Sequence, residues 1–240
     1  MRKLLALIVL ACAGRAACGA EVILATYYDY APWTYANQPD KGHNAELARL
    51  LTKLAGGKYE FVARLIPRKR IDVMLAQNEA PMVVAWVAPR FFGDEARTQY
   101  LWSPALMEDE SLIVSSVETP LEYDGLPSLV GKRFSATFGH IYTDIDPLVS
   151  AGKITRSDGP NMESAIGKLL MHRDVDFGVI DRSALNALQQ EDAAKLQRLY
   201  IARKPRTAQY TRHILIPKTQ PELAEFLGQA IKQIAKTRQW

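Results

Sequence analysis

Two stretches, Leu24-Ala-Thr-Tyr-Tyr-Asp-Tyr-Ala-Pro-Trp33 and Val175-Asp-Phe-Gly-Val-Ile-Asp181, decide how this chain is read. Each begins as an apolar strand and ends on aromatic or acidic residues. In open α/β sheets, ligands bind outside the carboxyl ends of the strands. Two such ends, far apart in one chain, predict two lobes that close on a small molecule.

Working outward, residues 21–26 read as a strand. Asn44 is expected to cap a helix whose apolar stripe is Leu47, Leu50, Leu51 and Leu54, with Gly56-Gly57 as its stop. Residues 59–65 and 81–87 read as further strands. Between them Pro67 suits the start of a helix carrying Ile71, Met74 and Leu75. This βαβαβ order predicts a parallel, doubly wound sheet. A second set of elements starts near residue 111. It holds a strand at 132–138, a helix capped by Asn161, the strand at 175–180 and a helix from Arg182. A strand at 210–216 and an amphipathic helix at 221–236 close the chain. The sequence shows no internal repeat and no long linker. The second set then lies inserted within the first, with lobe 1 at 21–112 and 208–240 and lobe 2 at 113–207. The chain crosses between lobes twice, near 110–114 and 203–210, which makes a hinge.

Residues 1–20 are set aside as a secretory signal. Arg2 and Lys3 precede an apolar run from Leu4 to Ala11, and small residues end at Ala20. The run is too short to span a bilayer. Val9-Leu-Ala-Cys12 faintly resembles a lipoprotein cleavage box, but Leu10 fits it poorly, which argues against a lipid anchor. Both cysteines, Cys12 and Cys18, fall in this segment, so a chain cut after Ala20 carries no disulfide and rests on its core. Arg2, Lys3 and Arg15 supply three charges of the formal +4, leaving the remainder near +1. Such a balance does not call for nucleic-acid or membrane partners.

Tyr30-Ala-Pro-Trp33-Thr-Tyr, Gly42-His-Asn-Ala-Glu-Leu47, Leu101-Trp-Ser-Pro104, Leu129-Val-Gly-Lys-Arg-Phe134, Phe138-Gly-His140 and the 175–181 strand occur in an order and spacing that resembles bacterial extracellular solute-binding proteins of family 3. The resemblance covers nearly all of the chain after residue 20. It implies a two-lobed, periplasmic-binding-protein-like (type II) α/β fold. It also implies an aromatic ligand platform at Trp33, with Tyr27 and Tyr30 on the same turn, and an ammonium-binding carboxylate at Asp181. For Trp33 the competing reading is a plug of the lobe surface; for Asp181 it is the N-cap of the helix from Arg182. His140 stands where the family places Thr or Ser. It reads either as a donor to a ligand carboxylate, titrating near pH 6–7, or as a surface histidine. The 85–97 segment departs furthest. Trp86 falls where Gly is usual and Ala88 where a Thr hydroxyl is usual. Arg90, or failing it Arg97, is the candidate to grip a carboxylate. Trp86 then narrows the cleft or stacks on a ring. Arg68, at a helix start that disfavours cations, is a weaker anion-site candidate.

The sequence holds no phosphate-binding loop, nucleophile elbow or zincin motif, and no histidine spacing for zinc. Asp144 and Asp146 read as a solvated turn. No cofactor or metal is expected. The leading expectation is therefore a monomeric, exported, non-enzymatic receptor for a small polar or zwitterionic solute, an amino acid or relative, serving a membrane permease or sensor. The alternatives are a dehydratase-like enzyme on the same scaffold and a ligand-free signalling adaptor in which Trp86 fills the cleft.

Overall fold

In a computed structural model, residues 19–78, 81–171, 173–238 and 240 are described. Residues 1–18 of the expected signal segment, with Cys12 and Cys18, lie outside these residues. Among the described residues, eleven strands and seven α-helices form two sheets with helices packed on them.

The first sheet holds β1 (Ala20–Thr26), β2 (Tyr59–Leu65), β3 (Met82–Val87), β4 (Leu101–Trp102), β5 (Met107–Asp109) and, late in the chain, β11 (Tyr210–Ile216). The second holds β6 (Ser111–Ser116), β7 (Arg133–Thr137), β8 (Thr155–Gly159), β9 (Phe177–Asp181) and β10 (Leu199–Ile201). Between them run α1 (His43–Ala55), α2 (Arg68–Gln77), α3 (Asp146–Ser150), α4 (Met162–Leu170), α5 (Arg182–Glu191), α6 (Ala193–Gln197) and α7 (Pro221–Ile234).

Both sheets are built to one plan. Their orders are β2-β1-β3-β11-β4 and β8-β7-β9-β6-β10. In each, a parallel triplet (β2-β1-β3, β8-β7-β9) is followed by an antiparallel strand, β11 or β6. The βαβαβ run forms the parallel sheet its order predicts, and an antiparallel strand is added to it. That strand is β11, which returns from the second sheet and enters the first from the opposite direction. The plan recurs without a sequence repeat, because backbone direction and apolar patterning suffice to specify it.

Glu110 alone separates β5 from β6, so the first crossing between sheets is one residue long. Residues 202–209 make the second. The C-terminal ends of β1 and β3 and those of β7 and β9 therefore face one another across the gap, where β6 and β11 begin.

Each layer has its own core. β3 is buried along its whole length and packs with Leu47 and Leu51 of α1 and Leu227 and Ile231 of α7. In the second sheet Leu112, Ile180, Ile166 and Leu169 pack on one face and Phe134, Phe177 and Ile113 on the other. Three helix-end readings can be checked. Gly56 ends α1 in the left-handed conformation, and Asn161 caps α4 by accepting the Ser164 N–H at 2.8 Å. Asn44, by contrast, lies inside α1 rather than capping it. Its Nδ2 donates to the Leu24 carbonyl at 3.1 Å and ties α1 to the end of β1.

Candidate functional site

The turn after β1 is fixed before any ligand is considered. The Trp33 and Thr34 amides both donate to the Tyr30 carbonyl, and Thr34 Oγ1 donates to the Tyr28 carbonyl at 2.7 Å. The carbonyls of Pro32 and Trp33 accept the His43 and Asn44 amides, satisfying two N-terminal N–H groups of α1. Gly42, at φ 101, makes this approach possible; a Cβ there would lie 2.5 Å from the Trp33 oxygen. The turn presents Tyr27, Tyr28 and Tyr30 to the second sheet. Opposite them, Arg156 donates to the carbonyls of Thr137 and His140 and holds the β7 turn. The His140 ring stands edge-on to Tyr27, 5.4 Å between centres.

Between these turns lies a cavity of about 50 Å³ whose lining comes from both sheets: Tyr27, Tyr30, Arg68, His140, Asp181 and Arg206 are among it. Ligand pockets for drug-sized molecules run to roughly 300–1,000 Å³, so the gap as folded is closed down. Burial keeps the phenols of Tyr27 and Tyr28 above their ordinary range. Burial and then the Asp181 carboxylate do the same to Tyr30, and burial pushes Tyr142 up to about 12. All four are neutral hydroxyls at any physiological pH. Burial lowers His140 to about 4, with the Arg68 and Arg156 charges acting the same way. The imidazole is neutral near pH 7, which corrects the expected titration near pH 6–7.

Behind the cavity sits a residue that sequence reading missed. Arg212 of β11 is fully buried, and all five of its N–H groups are used. Nε donates to Asp109 at 2.7 Å; Nη1 donates to Tyr28 Oη and the Trp86 carbonyl; Nη2 donates to Asp181 at 2.7 Å and Tyr210 Oη at 3.0 Å. Its guanidinium lies over the Trp33 ring, 4.5 Å from the centre. Asp181 is thus bonded to Arg212, to Tyr210 Oη at 3.0 Å and, weakly, to Tyr30 Oη at 3.5 Å. The Asp181 side chain makes no cap bond to α5, although its backbone occupies that position. Asp109, from the other sheet, takes that role. It accepts the Ser183 amide at 3.2 Å and the Ser183 hydroxyl at 2.7 Å. A clue to this centre was present: Arg212 stands two residues before the apolar run Ile214-Leu-Ile216 of its strand, and an arginine buried there needs carboxylates within reach.

The structure brings Tyr27, Tyr30, His140 and Asp181 to the cavity. Trp33 and Trp86 are placed elsewhere: both are fully buried and packed against each other at a tilt, 5.2 Å between ring centres, with His43 and Trp240 completing the cluster. Trp86 has φ 68, a backbone that suits glycine. Arg90 is half-buried, its guanidinium 4.2 Å from the Tyr210 ring centre and bonded to Thr207, outside the cavity lining. Arg97 is exposed and lies 3.2 Å from His213 Nε2. The cations at the cavity are instead Arg68, buried at 7 % exposure, and Arg206. Arg68 donates Nε to Asp72 at 2.8 Å and lies over Phe92. Arg206 pairs with Asp144 and donates to Ser111 Oγ at 3.0 Å. The 144–146 turn is therefore an anchor for two arginines, since Asp146 binds Arg156. Among the described residues no cluster of three or more His, Cys, Asp or Glu is placed to hold a metal ion. No described helix is long and apolar enough to cross a membrane.

Comparison with solved structures places this architecture among the two-lobed solute-binding folds. A variant of ArgBP from T. maritima superposes with TM-score 0.72 at 15 % identity, covering 91 % of this chain and 90 % of that one. The arginine-, lysine-, histidine-binding protein ArtJ from Geobacillus stearothermophilus gives TM-score 0.68 at 20 % identity, covering 90 % of each. The ancestral amino acid-binding protein AncCDT-1, a precursor of cyclohexadienyl dehydratase, gives 0.68 at 19 % identity over 91 % of each. No protein-family model and no curated protein matches the chain. The likeness is one of fold.

Proposed function

We propose that this protein is an exported receptor that captures a small polar or zwitterionic solute between lobes at 21–112 with 208–240 and at 113–207. The observation that carries this reading is the convergence of both parallel triplets: the turns after β1 and β7 and the end of β9 line one cavity from opposite sheets. Ligands sit at such strand ends, and similar solved structures are amino-acid-binding proteins. Tyr27, Tyr30, His140 and Asp181 meet the solute, with Arg68 and Arg206 beside them. Trp33 and Trp86 support the site from behind, and Arg90 steadies the second crossing through Thr207. The 50 Å³ cavity belongs to the closed form, and solute enters by opening at Glu110 and 202–209. The signal segment delivers the chain outside the cytoplasm as a monomer, where a permease or sensor reads the closed lobes.

A thermal-shift screen against amino acids, polyamines, organic acids and prephenate-like compounds tests this. A solute at a hundredfold excess over Kd should raise stability by about 2.7 kcal/mol. Turnover of a hit would favour the dehydratase-like reading. A second reading has its own support. Arg212 already fills the carboxylate of Asp181, as a ligand-independent adaptor would require. A melting temperature that no compound moves would favour it.

A further inference from the structure

We infer that the cleft selects a small monocarboxylate lacking an ammonium group, held by Arg68 and Arg206. This rests on the solute-receptor reading and narrows its ligand.

The argument is one of donors and acceptors. The cavity's single carboxylate is Asp181, and its oxygens already receive Arg212 Nη2, Tyr210 Oη and Tyr30 Oη. An incoming ammonium would meet a carboxylate whose charge is already neutralised by a guanidinium held by four further bonds to Asp109, Tyr28, Trp86 and Tyr210. Removing one partner of a buried ion pair is strongly unfavourable. The cation position is occupied by the chain itself.

The rest of the polar lining donates. Arg68 uses only Nε in a hydrogen bond among the described residues. Arg206, with its side chain 8 % exposed, has Nε buried and without a partner among the described residues. A buried N–H left unbonded costs free energy that an acceptor would recover. The neutral phenols of Tyr27 and Tyr142 can donate as well, whereas the one N–H of the neutral His140 ring is held by the Tyr27 backbone. Asp72 and Asp144 each pair with one of the two guanidiniums from outside the lining, yet both guanidiniums keep donors to spare, and a planar carboxylate matches their forks. The space of about 50 Å³ favours a small acid over a large one.

Calorimetric titration of the full chain with matched pairs tests this: acetate against glycine, and propionate against alanine, with arginine as a third amino acid. Propionate should bind at least about tenfold more tightly than alanine. Arg206→Gln should weaken propionate by about tenfold or more, the worth of a charged hydrogen bond. Arg68→Gln should act in the same direction, and carries the test if Arg206→Gln fails to fold by circular dichroism. If alanine, glycine or arginine binds as well as its partner, the anion inference falls while the receptor reading stands. If no compound in either arm binds, and the screen above finds no other ligand, both fall.

Discussion

The buried centre around Arg212 and the cavity in front of it use the same residue types to different ends. Behind the cavity, one arginine, two carboxylates and two tyrosines satisfy one another. In the cavity lining, a second buried arginine keeps an N–H without a partner among the described residues. Polar groups spent on each other fix a structure; donors left over define what a ligand can supply. The ion pair between Arg212 and Asp181 also joins the two sheets, so the saturated centre holds the unsaturated one closed.

The comparison breaks most directly at Arg212. Arg212→Met would leave Asp109, 5 % exposed, without its cation. Unfolding by denaturant should show a loss of about 3–5 kcal/mol, the usual cost of orphaning one member of a buried pair. Asp109→Asn in the same background should recover part of it, because the stranded charge is then gone. A loss below about 1 kcal/mol would mean that the pair is solvated and the centre is not a lock.

Acid should loosen both regions through their histidines. His43, beside Trp86, and His140, at the cavity, are each lowered by burial from 6.5 to about 4. The unfolded chain takes up the proton first, so this stabilisation is present above pH 6.5 and is lost as pH falls toward 4. In that window each histidine should contribute a slope of about 1.4 kcal/mol per pH unit. Denaturant titrations between pH 7 and 4.5 measure it. His43→Gln and His140→Gln should each remove one proton's worth of slope, and an unchanged slope in either variant would show that ring to be solvated.

Asp181 offers a finer contrast, since two phenols reach it from opposite sides of the boundary. Tyr210 Oη lies 3.0 Å away and also receives Arg212, whereas Tyr30 Oη is at 3.5 Å. Tyr210→Phe should cost about 1.5–3 kcal/mol, as hydrogen bonds to charged groups do, and Tyr30→Phe well under about 1 kcal/mol. Equal losses would erase the distinction between the locked centre and the cavity wall.

How far these regions could be read from sequence follows from how local their causes are. Helix stripes and the Asn161 cap are short-range, and they were legible. The meeting of the ends of β1, β7 and β9 at one cavity was also legible, because strand direction alone puts them together. Arg212 was not, since its meaning depends on Asp109 and Asp181, brought near only by the return of β11 into the first sheet. The same long-range packing moved Trp33 and Trp86 from a cleft surface into a core: the Pro32–Gly42 contacts draw the turn inward until Trp33 meets Trp86 and Arg212. Arg90 was misjudged by distance along the chain. It is near the end of β3, but the short helical turn at Pro89–Phe92 carries it to Tyr210 rather than to the cavity.

Trp86 sharpens the comparison with the smallest expected effect. Its side chain fills the core beside Arg212 at 0 % exposure, while its φ of 68 places the backbone where an L-residue is strained. Truncation to Ala loses the ring and keeps the strain; truncation to Gly loses the ring and releases it. Elsewhere in a strand Gly is the worse replacement. Here Trp86→Gly should be more stable than Trp86→Ala by about 1 kcal/mol, although both fall about 3–5 kcal/mol below the parent. Paired denaturant midpoints decide the order. If Ala proves the more stable, the backbone at this position relaxes with the ring removed, and the strain belongs to the packing of the two tryptophans rather than to the register shift between β3 and β11.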